Sequence, residues 1–294
     1  MEKRPYIRYP IEWIFPVLIL VTLFTVYPVG YAIWTSLHRV LLVLPTTPFI
    51  GFKNYIAVLK SPYFWESLLN TLWFTLISTP IIIVIGFGVG RLLLTKFVGR
   101  SVVRSVVILP WVLPGAVSGI IWMWILHQSW GILNILLFKI GLIKEYIPWL
   151  VTPALARFSI IVAYTWTQFP FAGILIMAAL SGIDPNLYEA AQVDGASALR
   201  RFLNITLPQI KGMVMVLAVY EALTALTSYD LAYSLTAGGP GTATTLAAYY
   251  IWKESFKMLN FGNGAALAFI MVLISLAFII GIMKAIPSDV FAEE

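Results

Sequence analysis

The 294-residue sequence predicts an all-α membrane protein built on six transmembrane helices. Three observations predict that class. Hydrophobic residues make up 60% of the chain and charged residues only 11%, against about 25% charged in soluble domains. In water, such a chain would expose large aggregation-prone patches. Six runs are apolar over the ~20 residues that a helix needs to cross a bilayer. Finally, runs such as Ile81-Ile82-Ile83-Val84-Ile85 lack the alternation of barrel strands, and backbone amides in hydrocarbon must be bonded internally, which makes these runs helices.

Taken in order, a tail of residues 1–12 precedes a membrane domain of residues 13–286. The first span, 13–37, starts at Trp13 and continues through Tyr27, Pro28 and Gly30 to Leu37. It is too long for a signal-peptide core and ends without a small-residue cleavage site, so it is retained. The second span, 69–94, carries Pro80, and the third, 105–126, carries Pro110 and Pro114, all expected to kink their helices. The fourth span is 158–180, the fifth 212–235 and the sixth 264–286, followed by a tail of residues 287–294. Three longer connections, 38–68, 127–157 and 236–263, are rich in Tyr and Trp, which favour the membrane–water boundary.

Between the fourth and fifth spans, residues 181–211 form a polar, turn-rich connection. Asp184 can accept bonds from free amides at a helix start, and Pro185 suits the first turn. A short helix Pro185–Val193 should therefore end near Gly195, where a residue without Cβ turns most easily. Ser197 can cap a second short helix, Ala198–Asn204, and Pro208 should interrupt the backbone ladder before the fifth span.

Lysine and arginine set the orientation. With Lys3, Arg4, Arg8, Arg91, Lys96, Arg100, Arg104, Arg200, Arg201, Lys211 and Lys284 on one side, that side holds 11 basic residues against eight on the other. Both termini and the 181–211 connection are then cytoplasmic. The net charge of +6 is spread singly beside apolar runs, so it speaks for membrane orientation rather than nucleic acid.

Other chemistry is absent from the sequence. There is no cysteine, and His38 and His127 stand far apart without companions, so no metal site is expected. No nucleophile–base arrangement is visible and no catalytic residue is assigned. No GxxxxGK[ST] occurs, so any ATP must be bound by another chain.

Ionisable groups inside spans are costly and mark solute paths. Glu221 and Asp230 are nine residues apart, which on a regular helix places them on opposite sides. Thr224, Thr227 and Asp230 recur every three residues and form a drifting stripe, with Ser228 beside it. Hydroxyls and carboxylates, with rings such as Tyr229 and Tyr233 nearby, suit sugar hydroxyls and sugar faces. The alternative is that the hydroxyls only join helices and that Asp230 lies at the outer boundary.

The order Glu189-Ala190-Ala191, three residues, Gly195, nine residues, Ile205, then Leu207 and Pro208 resembles the EAA motif of membrane subunits of binding-protein-dependent ABC importers. The resemblance extends over nearly the whole chain. Tyr27-Pro28, Phe49-Ile50-Gly51-Phe52, Asn70-Thr71-Leu72, Gly131-Ile132-Leu133-Asn134 and Leu235-Thr236-Ala237-Gly238-Gly239-Pro240 are similar to sugar-type permeases, of the type of the first maltose and glycerol-3-phosphate transporter subunits. That resemblance implies the type I importer permease architecture and a chain that forms half of a translocation path for a di- or oligosaccharide. Glycerol-3-phosphate or another polyol is the alternative solute, and a secondary transporter or a membrane enzyme or scaffold the rival classes. It implies as partners a second, non-identical permease, two ATPase subunits that hold ATP and Mg, and an extracytoplasmic solute-binding protein. It assigns the ATPase contact to Glu189, Ala190, Ala191 and Gly195, with Asp194, Arg200 and Arg201 as further candidates. The path would then add Trp166, Gln168 and Phe171 of the fourth span, and Gly238, Gly239 and Pro240 would border the binding-protein docking site.

Overall fold

The computed structural model describes residues 14–285. Trp13, the basic residues of the 1–12 tail, residue 286 and the 287–294 tail lie outside the described residues. No strand forms among the described residues, where pairing is limited to the isolated bridges His38–Phe49 and Leu41–Asn260. Among the described residues, five helices are long and apolar enough to cross a membrane, and a sharply bent pair makes a sixth candidate. The described residues divide into two compact units, 14–61 with 251–270 and 62–250 with 271–285.

The first unit contains α1 (Phe15–Ser36) and α2 (Lys53–Lys60). Asn54 of α2 donates to the carbonyls of Ser36 (2.7 Å) and His38 (2.9 Å). This satisfies carbonyls left free at the end of α1. Backbone bonds from Leu42 to Leu259 (3.0 Å) and from Gly262 to Val40 (3.3 Å) close the unit.

The second unit holds α3 (Pro62–Leu94), α4 (Arg100–Val112), α5 (Gly115–Ile125), α6 (Ile132–Lys139), α7 (Pro153–Ser181), α8 (Pro185–Val193), α9 (Ala198–Thr227) and α10 (Asp230–Thr236). A short helix α11 (Ala247–Trp252) precedes the last helix, α12 (Phe261–Ala285), which begins in the first unit and ends in the second. Helix α3 packs on α7, and α9 lies against both. Between them Phe74, Ile82, Tyr164, Ile176 and Leu217 form a buried core. Close approach of α3 and α7 depends on Gly86, Gly90 and Gly173. A Cβ on Gly86 would lie 2.8 Å from that of Ala172. Small residues let membrane helices approach in this way.

Of the prolines expected to kink a span, Pro114 does so. Helix α3 runs unbroken through Pro80 and α4 through Pro110. The break in the third span falls at Leu113-Pro114, where α4 and α5 meet at 101°. Leu113 is extended (φ −72°, ψ 135°), as the residue before a proline prefers. Nor does Pro208 interrupt the chain. The expected short helix Ala198–Asn204 is the first part of the continuous α9. Both Pro28 and Pro208 lie two residues beyond a five-residue π turn, Thr22–Val26 and Phe202–Thr206. The amides of Tyr27 and Leu207 reach back to the carbonyls of Thr22 and Phe202. The widened turn absorbs the ring and the missing donor without ending the helix. The fifth span, expected to run to 235, stops at Thr227; Ser228 is extended (φ −69°, ψ 124°) and Asp230 starts a separate helix.

Candidate functional site

Three groups of residues stand apart from ordinary helix packing. The first is the short helix α8. Asp184 Oδ1 accepts from the Asn186 amide at 2.9 Å, and Ser197 Oγ from the Arg200 amide at 3.3 Å. Gly195 turns the chain at φ +72°. These local bonds give α8 the bounds that the caps predict, Pro185–Val193. Tyr188 faces inward and its hydroxyl bonds Thr206 Oγ1 at 2.9 Å, which ties α8 to the start of α9. Glu189, Ala190, Asp194, Gly195 and Arg200 are exposed, and Ala191 and Arg201 half-buried. Val193 is 89% exposed and Leu199 67%. Sequence reasoning passed over these two. Their signal was an apolar residue inside a polar stretch.

The second group surrounds a cavity of about 250 Å³ between α5, α7, α9 and α10. Tyr164, Thr167 and Gln168 line it from α7, Thr224 and Thr227 from α9, and Ser228, Asp230 and Leu231 from the break and α10, with Gly115 of α5 opposite. A Cβ at Gly115 would overlap the Asp230 carboxylate, and one at Gly119 the Ser234 hydroxyl. The two glycines, four residues apart, therefore seat α10 against α5. The Thr224 and Thr227 hydroxyls donate to the carbonyls of Tyr220 and Leu223, both at 2.9 Å. Their protons are spent on their own helix, so each offers lone pairs. Gln168 Nε2 donates to Thr167 Oγ1 at 3.3 Å, which leaves its oxygen as an acceptor. The lining carries one carboxylate and no cationic side chain.

Five of the eight path candidates thus share one cavity: Gln168, Thr224, Thr227, Ser228 and Asp230. Three do not line it. Trp166, two residues and so about 200° from Gln168 on the helix, meets Trp122 edge-on at 5.9 Å beside a separate apolar groove. Phe171 stacks on Trp111 at 5.1 Å and contacts Tyr220 at 4.9 Å. Tyr233 pairs with Tyr249 at 6.0 Å. Tyr164 and Thr167 were missed. Tyr164 lies four residues before the candidate Gln168 and three before Thr167, a spacing that puts all three on one helix face, and this was the available signal.

The third group is the segment after α10. Ala237, Gly238 and Gly241 have positive φ values of 49°, 81° and 59°, and the Gly239–Pro240 bond is cis. A Cβ at Gly238 would lie 2.7 Å from Thr245 Oγ1. Thr244 Oγ1 donates to the Gly239 carbonyl at 2.8 Å and Thr245 Oγ1 to that of Gly238 at 3.0 Å. From α3, Asn70 Nδ2 donates to the Thr242 carbonyl at 2.8 Å. From α7, Arg157 donates to the Ala243 carbonyl (3.1 Å) and to Asn70 Oδ1 (3.3 Å). The Thr242 hydroxyl bonds Glu66. The irregular segment around Gly238, Gly239 and Pro240 is thus pinned to two long helices.

Membrane-length helices around a polar cavity, with a capped helix between two of them, define a multi-pass membrane transport component. Residues 82–287 match the family described as binding-protein-dependent transport system inner membrane component, and the chain belongs to that family. It is a permease subunit of the ABC importer class and a multi-pass inner-membrane protein. It is 38% identical to the sulfoquinovosyl glycerol transport system permease protein of Agrobacterium fabrum, over 89% of this chain and 84% of that one. It is 35% identical to the trehalose/maltose transport system permease protein of Thermococcus litoralis, over 92% and 91%. Its fold matches a bacterial ABC transporter involved in alginate import, with a TM-score of 0.77 at 24% identity over 93% of each chain. That likeness carries the type I permease fold.

Proposed function

We propose that this subunit forms half of the path for a carbohydrate, di- or oligosaccharide in size, and that the cavity beside Asp230 is part of that path. The observation that carries this reading is the cavity itself. Carboxylate, amide and hydroxyl acceptors converge from two membrane-spanning helices and the break after the second, where hydrocarbon would otherwise exclude them. The relatives named for a glycosyl glycerol and for trehalose/maltose support a sugar. A carboxylate without a neighbouring cation in the lining favours a neutral polyhydroxy solute over glycerol-3-phosphate.

In this reading a second, related permease completes the path. Two ATPase subunits bind ATP and Mg, and α8 seats in them with Glu189, Ala190, Ala191 and Gly195 at the contact. Asp194, Arg200 and Arg201 flank that contact. The exposed Val193 and Leu199 support it, because an apolar side chain in water gains by being covered. Both termini and α8 lie on the cytoplasmic side. Because α9 continues from residue 198 through residue 227, motion at α8 passes into the lining at Thr224 and Thr227. The pinned Gly238-Gly239-Pro240 segment borders the docking site of the solute-binding protein.

The test is uptake of labelled disaccharides into proteoliposomes holding the complete transporter and its binding protein. Asp230→Ala and Gln168→Ala are expected to raise KM about tenfold each, the scale of one lost hydrogen bond to a charged or buried group. Unchanged uptake by both variants overturns the assignment of the path.

A further inference from the structure

Helix α9 buries a carboxyl side chain that the path described above does not use. Glu221 is fully buried, and neither carboxylate oxygen has a hydrogen-bond partner. Leu217 and Ala225, one turn before and one turn after it, belong to the core cluster with Phe74 and Tyr164. Helical periodicity therefore aims Glu221 into that core. The Tyr164 hydroxyl is likewise buried and without a partner, on the helix α7 that packs against α9. Tyr164 also lines the polar cavity. Tyr164 thus belongs both to the cavity lining and to the core cluster that Leu217 and Ala225, flanking Glu221, also join.

Leaving a carboxylate and a phenol unpaired in a low-dielectric interior is expensive. The nearby orphan hydroxyls of Thr75, Ser78 and Thr79 have a local remedy, since Ser and Thr can turn onto a carbonyl of their own helix. A phenol or a Glu carboxylate has none. Each needs a partner from another helix, and the pair on α7 and α9 consists of one donor and one acceptor.

We propose that Glu221 is a positioning residue of the solute path: when the cavity closes on a polyhydroxy solute, the Tyr164 hydroxyl donates to the Glu221 carboxylate and the phenol ring becomes a fixed wall of the solute site. This rests on the cavity being the carbohydrate path. The bond spans α7 and α9, so its formation also links solute contact to the helix that continues from the α8 end of the molecule.

The experiment is a double-mutant cycle on uptake by the complete transporter in proteoliposomes. Tyr164→Phe and Glu221→Leu are each expected to raise KM about tenfold, and the double variant no further than either alone. Glu221→Gln, which keeps an acceptor oxygen, should stay within about threefold of wild type on the same scale. Glu221→Met serves as a second acceptor-free variant should the leucine fail to insert. Additive effects, or an unchanged KM in Tyr164→Phe and Glu221→Met beside normal wild-type uptake, overturn this proposal alone. A wild-type transporter that moves no polyhydroxy solute overturns the carbohydrate reading and this proposal with it.

Discussion

Gly90 meets the backbone of Gly173 directly: a Cβ added to Gly90 would stand 2.8 Å from the Gly173 carbonyl oxygen and 2.9 Å from the Met177 amide nitrogen. Both neighbours are backbone atoms of a long helix and cannot rotate aside. Gly88, on the same helix two residues earlier, has no atom within 4 Å of such a Cβ.

Gly90→Ala should therefore destabilise the protein by about 1–3 kcal/mol through overpacking. Gly88→Ala should be neutral or stabilise by up to about 1 kcal/mol, since Ala is the better helix former. Melting temperatures of the two variants in detergent separate these outcomes. Equal Tm values would show that α3 and α7 do not depend on the glycine contact.

Gly195 has open space around its Cβ position but a φ of +72°. Substitution there meets conformational strain rather than a clash. Gly195→Val should strain the turn after α8 by about 1–2 kcal/mol and uncouple solute uptake from ATP hydrolysis in the assembled transporter, while Gly195→Asn, which tolerates this conformation, should retain coupling. Glu189→Arg should uncouple without lowering the amount of protein in the membrane. Solute-stimulated ATP hydrolysis and uptake, measured side by side, check all three. Normal coupling in Glu189→Arg would remove α8 from the ATPase contact.

Asn70 serves three partners at once, as donor to the Thr242 and Thr245 carbonyls and acceptor from Arg157. Asn70→Leu removes all three bonds and should cost about 1–3 kcal/mol, read as a lower Tm. Asn70→Asp keeps the acceptor for Arg157 and should fall between the two. If binding-protein-stimulated ATP hydrolysis drops in step with Tm across the pair, the pinned segment is also the docking border.

Burial raises the pKa of Glu254, in the π turn Lys253–Lys257, against smaller opposing effects of its bond to Asn263 and the charge of Lys253. A raised value in the fold means that the neutral form is favoured there. The resulting stability is fully present below the ordinary carboxylate range and is lost as pH rises through the folded value. As pH rises above the ordinary carboxylate range of about 4, the wild-type Tm should fall relative to that of Glu254→Gln. Parallel pH profiles for the two proteins would contradict this.

The bounds of α8 were legible because they rest on local chemistry. The Asp184 and Ser197 caps and the left-handed Gly195 each act within a few residues, so reading along the chain suffices. Membrane helices were legible for a related reason, since transfer to hydrocarbon is a property of each residue in turn. Proline was a mixed local signal. Pro114 bends the third span as expected, whereas at Pro208 a π turn upstream accommodates the ring.

By itself, the sequence determined that this chain crosses a membrane as helices and carries a capped short helix between two of them, because hydropathy and capping are summed along neighbouring residues. Only the tertiary structure decided which polar groups share a cavity. It put Gln168 beside Thr224 and Asp230 and left Trp166 outside; it broke the chain at Ser228, and it buried Glu221 between core residues Leu217 and Ala225 on a helix packed against that of Tyr164. Those are relations between residues 50 or more positions apart, set by how each helix is rotated and how closely glycine lets it approach its neighbours. An apolar run carries almost no record of that rotation, since lipid and a packed helix face select the same side chains.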